Sequence, residues 1–178
     1  MNDTMIDRNA AAKTALTGFS QHYNYDVTAM EELLEASPGA FHAFFGAAQT
    51  LGQFRGVAPK ELLAIVKIAT VRAEDCGPCL ELALKMMAEE GVENPIIQGA
   101  LHGGKGLSPE YLEVHDYARA VTLNQAMDPD CLPRLRKRWG EDVMAELAVT
   151  CLAAGLYPAI KRALGHAKSC SLFPALNS

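Results

Sequence analysis

From Leu80 to the carboxyl terminus, 99 positions hold only ten Val, Ile or Thr residues, and these never form a strand-like run closed by hairpin turns. A sheet depends on such runs, because β-branched side chains pack well on a pleated surface. The back half carries instead the 3.6-residue repeat of helices. Val143, Leu147 and Cys151 share one face, as do Met144, Ala148 and Leu152. The chain is therefore expected to be all-α.

Its punctuation agrees. Ser37-Pro38, Ser108-Pro109 and Asp128-Pro129 each set a capping residue before a proline suited to the first helical turn. Gly91, Gly140 and Gly165 read as stops or turns. The expected helices run about 4–18, 27–36, 38–53, 59–73, 76–90, 109–126, 129–138 and 141–164, seven to eight in all. "GALHGGKGLS" (Gly99 to Ser108) is expected to be a loop between front and back. Gly155 and Pro158 predict a kink or break near Tyr157. "PKELLAIVKIATVRA" is apolar on nearly every face, which fits a buried helix or a buried strand. The strand-poor remainder favours the helix.

The length of 178 residues fits one domain, 1–178, with N-terminal helices over 1–54 and a core over 55–165. With 49% hydrophobic and 21% charged residues, a compact protein is expected rather than a disordered one. The net charge of −5 speaks against nucleic acid as a partner. The basic run Arg134-Leu135-Arg136-Lys137-Arg138 reads as the solvated face of a short helix. The amino terminus lacks an apolar core of signal-peptide type, and the uncharged apolar stretch near the carboxyl end, Leu147 to Ile160, is 14 residues. A cytoplasmic protein without a membrane partner is expected.

Five cysteines, an odd number, speak against a structural disulfide framework. Cys131, Cys151 and Cys170 are isolated, and Cys151 in "AVTCLAAG" reads as packing material. Cys76-Gly77-Pro78-Cys79 is different. With Asp75 as N-cap, Cys76 opens a helix and Cys79 follows one turn later on the same face. Both thiols then sit at the positive end of the helix dipole, which favours thiolate, while Glu74 and Asp75 oppose it. A redox dithiol, two structural thiols and half of a zinc site all remain open. The zinc reading lacks a second Cys-x-x-Cys or a His-x-x-x-His, so neither a metal nor another cofactor is expected.

"APKELLAIVKIATVRAEDCGPCLELALKMMAEEGV", "HDYARAVT" and "LPRLRKRWGEDVMAELAVTCLAAGLYPAIKRALG" together resemble the carboxymuconolactone decarboxylase family, in its alkylhydroperoxidase D-like branch. The resemblance spans about residues 55–165 and lies mainly in the order of the segments. It implies a compact orthogonal bundle of helices, homo-oligomers (dimer, trimer or hexamer), a hydroperoxide or other small-molecule substrate, and a dithiol reductant. It also implies that Cys79 attacks the peroxide and Cys76 resolves the sulfenic acid into a disulfide.

The branch's proton relay is not at its usual places. The histidine expected four residues after the second cysteine is Ala83, and the glutamate expected twelve before the first is Ala64. Glu61 and Glu74 are the candidates to replace them. His42, His102 and His115 are weaker ones. The leading expectation is a thiol–disulfide oxidoreductase with peroxidase-like activity. The alternatives are a non-enzymatic redox-sensing or assembly protein, and a decarboxylase-type enzyme whose cysteines are spectators. Segments 40–54 and 143–160 carry enough apolar surface to suggest self-association, although both could equally be internal.

Overall fold

The computed structural model describes residues 3–166, with side chains from residue 6 onward. Cys170 lies outside the described residues. Those described are helical with no strand: α1 (Asp3–Tyr23), α2 (Thr28–Ala36), α3 (Pro38–Gln53), α4 (Lys60–Ala73), α5 (Gly77–Glu89), α6 (Asn94–Leu101), α7 (Pro109–Thr122), α8 (Cys131–Trp139) and α9 (Glu141–Ala163). The all-α expectation holds.

The described residues pack as two compact units, divided after Thr50. In the first, α1 and α2 pack together. The ring of His42 on α3 bonds the side chain of Asn9 on α1 (Nε2–Oδ1 2.8 Å). Ser37 caps α3 as its sequence suggests, its hydroxyl accepting the Ala40 amide at 3.3 Å.

The second unit is built around α4, which packs against α5, α6, α7 and α9. The ambiguous apolar segment is thus a central helix with Leu62, Ala64, Ile65, Val66, Ile68, Ala69, Thr70 and Val71 all buried. Its β-branched residues weaken helix propensity by tenths of a kcal/mol each, on the order of what one buried side chain outweighs. Helix α9 packs on α4, α7 and α8. By length and composition α9 could also cross a membrane. It buries Val143, Met144, Leu147 and Cys151.

Several boundaries differ from expectation, among them the end of α1, at Tyr23 rather than 18, and the end of α7, at Thr122 rather than 126. Helix α6 occupies Asn94–Leu101, taking the first residues of the supposed glycine loop, with Pro95 in its first turn. Helix α8 begins at Cys131 with Asp130 as its cap. Asp128 instead accepts the Asp130 amide at 3.0 Å in the turn before it. Helix α9 runs through Gly155 and Pro158 without a break.

The segment leading into α4 is fastened by one carboxylate. Glu146 on α9 is buried and accepts the amides of Val57 at 2.7 Å and Ala58 at 2.8 Å. Gly56 leaves the space this requires, since a Cβ there would overlap the Glu146 carboxylate.

Candidate active site

Helices α4 and α5 are joined by a turn of three residues. Glu74 is still right-handed helical, Asp75 is left-handed (φ 52°), and Cys76 is extended (φ −103°, ψ 92°). Aspartate is one of the few side chains that tolerates the left-handed region. This turn moves the helix start by one position. Cys76, not Asp75, is the N-cap of α5, and Cys79 is its third helical residue. The Cys76 carbonyl accepts the first intrahelical bond, from Leu80 N–H at 2.9 Å.

Cys76 and Cys79 are joined by a disulfide, with their Cα atoms 5.3 Å apart. Each residue is 6% exposed. Cys79 lies in the first turn, where backbone N–H groups have no intrahelical acceptor and the dipole is positive, which acts in favour of negative charge on its sulfur against the burial and the nearby carboxylates that oppose it. Ala64 on α4 and Ala83, one turn beyond Cys79, are buried at 0% and 4% exposure. The two positions where relay groups are expected from the resemblance are thus apolar packing.

The two candidate carboxylates go to different places. Glu74 pairs with Arg162 of α9. Its other oxygen lies near Gly155, where a Cβ would stand 3.7 Å away. Glu61, in the first turn of α4, lines a cleft of 390 Å³ with Glu93, Pro95, Ile96, Gly106, Leu107, Ser108 and Tyr111. No cysteine lines this cleft. Tyr111 stacks on Trp139 with ring centroids 6.2 Å apart. Burial pushes the Tyr111 hydroxyl pKa up, with Glu61, Glu110 and Glu93 adding to the effect. Glu93 and Tyr111 went unnoticed in the sequence because nothing in their spacing ties them to Glu61.

The histidines are dispersed. His42 is in the first unit, on Asn9. His102 is exposed at the end of α6. His115 is buried in α7, with Nδ1 3.1 Å from the Asp116 carboxylate.

The isolated thiols behave differently from the pair. Cys131 and Cys151 are free and buried. Burial pushes the Cys151 thiol up to about 11, against a smaller opposing hydrogen bond with Thr70. Cys131 is raised by burial and then by Glu113. Tyr117 rises to about 12, through burial first and then the negative charge of Cys151 and Cys131. At neutral pH these groups are protonated and poor nucleophiles.

In the basic run, Leu135 is buried while Arg134 bonds Glu113 at 2.6 Å and Asp128 at 2.9 Å, and Arg136 pairs with Glu141 at 3.2 Å. Among the described residues, no group of three or more His, Cys, Asp or Glu side chains could hold a metal ion. Compared with known proteins, the chain matches no family model, no curated protein and no solved structure.

Proposed function

We propose that the chain is a thiol–disulfide oxidoreductase with slow peroxidase-like turnover, working through Cys79 and Cys76. The observation that carries this reading is the bridge between the two residues at the first turn of α5. The resemblance to the alkylhydroperoxidase D-like branch supports it and assigns the order of events. The Cys79 thiolate attacks the terminal peroxide oxygen and the O–O bond breaks. The leaving alkoxide takes up a proton to become an alcohol, and Cys79 becomes a sulfenic acid. Cys76 then attacks that sulfur, the S–S bond forms, and the hydroxyl leaves as water with the Cys76 proton. An external dithiol returns both cysteines to thiols and is itself oxidised to a disulfide.

Buried alanines at 64 and 83 are the reason to expect slow turnover. A positioned proton-transfer group typically contributes about 10²–10⁴-fold. The same alanines favour a second reading, a redox-responsive protein whose disulfide changes its assembly and which turns over negligibly. Peroxide consumption with dithiothreitol as reductant separates the two. Slow catalytic loss of peroxide, absent in Cys79→Ser, is expected. A wild type that forms the Cys76–Cys79 disulfide but consumes only stoichiometric peroxide supports the second reading. If peroxide leaves the reduced pair unoxidised, both readings fail.

A further inference from the structure

The cleft at the first turn of α4 has a chemistry of its own. Two of its lining residues, Glu61 and Glu93, are carboxylates, and none of them is basic. Among the described residues, neither carboxylate has an ion pair or a side-chain hydrogen bond. Glu61 is nevertheless half-buried. A carboxylate that loses part of its water without gaining a partner is destabilising, and a bound cation offsets that cost. The negative field is felt at the mouth of the cleft, where burial and then Glu61, Glu110 and Glu93 hold the proton on Tyr111.

Ser108 supplies a second and independent observation. It lines the same cleft, and its hydroxyl oxygen is buried with no hydrogen-bond partner. The Glu110 carboxylate lies close to it but outside hydrogen-bonding geometry. Folded proteins leave few buried polar atoms in this state, and each calls for a partner. The other walls are apolar. Ile96 and Leu107 are half-buried and pack on the core, and the Tyr111 ring is held by its stack on Trp139.

We propose that this cleft binds a small primary ammonium compound with an apolar body. The Glu61 carboxylate and the Ser108 oxygen accept N–H bonds from the ammonium, and Glu93 adds negative charge at the rim. The Tyr111 ring attracts the same cation through its face. With Ile96 and Leu107 it also covers the apolar part of the ligand. The volume of 390 Å³ falls within the range of about 300–1,000 Å³ usual for small-molecule sites. A metal ion suits the cleft less well, because it would leave the apolar walls unused. Among the described residues, no group of three or more His, Cys, Asp or Glu side chains could hold one. No cysteine lines the cleft, so the site is separate from the dithiol and does not depend on its redox chemistry.

Trp139 is the single tryptophan of the chain, and its stack on Tyr111 makes its fluorescence a local reporter. Titration of the full chain with benzylamine is expected to give a saturable change, the same for reduced and oxidised protein. Benzyl alcohol, of similar shape but uncharged, and phenylacetate, of opposite charge, are expected to bind at least about tenfold more weakly. Glu61→Gln is expected to lower the affinity for benzylamine by about tenfold, with an unchanged circular dichroism spectrum. Amide NMR of the wild type should place the shifts caused by benzylamine at Ile96, Leu107, Ser108 and Tyr111. These shifts decide the matter should Glu61→Gln fail to fold or the fluorescence stay constant. The proposal is overturned by a lack of saturable binding in both readouts, or by shifts that lie elsewhere in the chain. Benzyl alcohol binding as tightly as benzylamine, or full affinity in a folded Glu61→Gln, overturns it too. Displacement of benzylamine by an equal concentration of magnesium or calcium does the same, by assigning the carboxylates to a metal ion.

Discussion

Glu74 and Arg162, separated by 88 residues in sequence, form an ion pair that joins the turn before Cys76 to the last turn of α9. The negative charge beside the dithiol is thereby partly neutralised. Replacing Arg162 with Met exposes the reduced cysteines to the full carboxylate charge, which raises their pKa. The pH midpoint for iodoacetamide alkylation of the reduced pair is expected to move up, by about half a unit to one unit. Folding stability is expected to change by less than about 1 kcal/mol, because the arginine is half exposed. An unmoved midpoint would show that Glu74 has no electrical influence on the pair.

The two carboxylates also predict different effects on turnover. Glu74 is next but one to Cys76, whereas Glu61 lines a cleft that no cysteine lines. Glu61→Gln is expected to leave the rate of peroxide loss within about twofold of the wild type. Glu74→Gln is expected to change it by more, since it alters the charge beside the thiolate. A large loss in Glu61→Gln, on the order of 10²-fold, would instead make Glu61 the proton-transfer group.

Glu146 is expected to matter for stability more than for chemistry. Truncation to Ala strands the Val57 and Ala58 amides, and should cost about 2–4 kcal/mol in urea unfolding. Gly56→Ala is expected to cost about 1–3 kcal/mol by pressing on the same carboxylate. The two losses should fall short of additive in the double variant, because both act through one contact. Full additivity would contradict a shared origin.

Cys151 and Tyr117 predict alkaline sensitivity. Both have folded pKa values raised above their ordinary ones, to about 11 and about 12. The folded state therefore holds these protons more tightly than the unfolded state does. Their contribution is complete below about pH 9 and is lost as pH rises through 11 and 12. The urea midpoint is expected to fall steadily above pH 9, and more gently in Cys151→Ala. An unchanged slope in that variant would remove Cys151 as a cause. The same shift predicts that alkylation of the native reduced protein at pH 8, mapped by mass spectrometry, labels Cys76 and Cys79 well before Cys131 and Cys151.

What the sequence made legible was whatever periodicity and composition encode. The helical class followed from scarce β-branched runs, and Ser37 was recognisable as a cap because the cue was local. Helix α6 carries a weaker local signal than α3, since its cap is Glu93, which makes no side-chain capping bond, and the helix is only eight residues long before a run of glycines. The start of α5 was misplaced by one residue because Asp75, a good capping type, uses its tolerance of left-handed backbone instead. The unbroken α9 reflects packing, which can hold a helix together where proline disfavours one. Long-range partners had no sequence signal at all. Nothing near Glu74 points to Arg162, and nothing near Gly56 points to Glu146.

Gly140 is at once the residue that ends α8 and the residue that begins α9. Its backbone, at φ 90° and ψ 161°, lies in a region that is essentially closed to every residue with a side chain. The joint between these helices therefore has an alphabet of one letter. Descendants of this chain can vary the basic face of α8 and the exposed face of α9 by ordinary substitution. At position 140 the options are to keep glycine or to rebuild the corner with inserted residues, so relatives should differ there in length before they differ in identity.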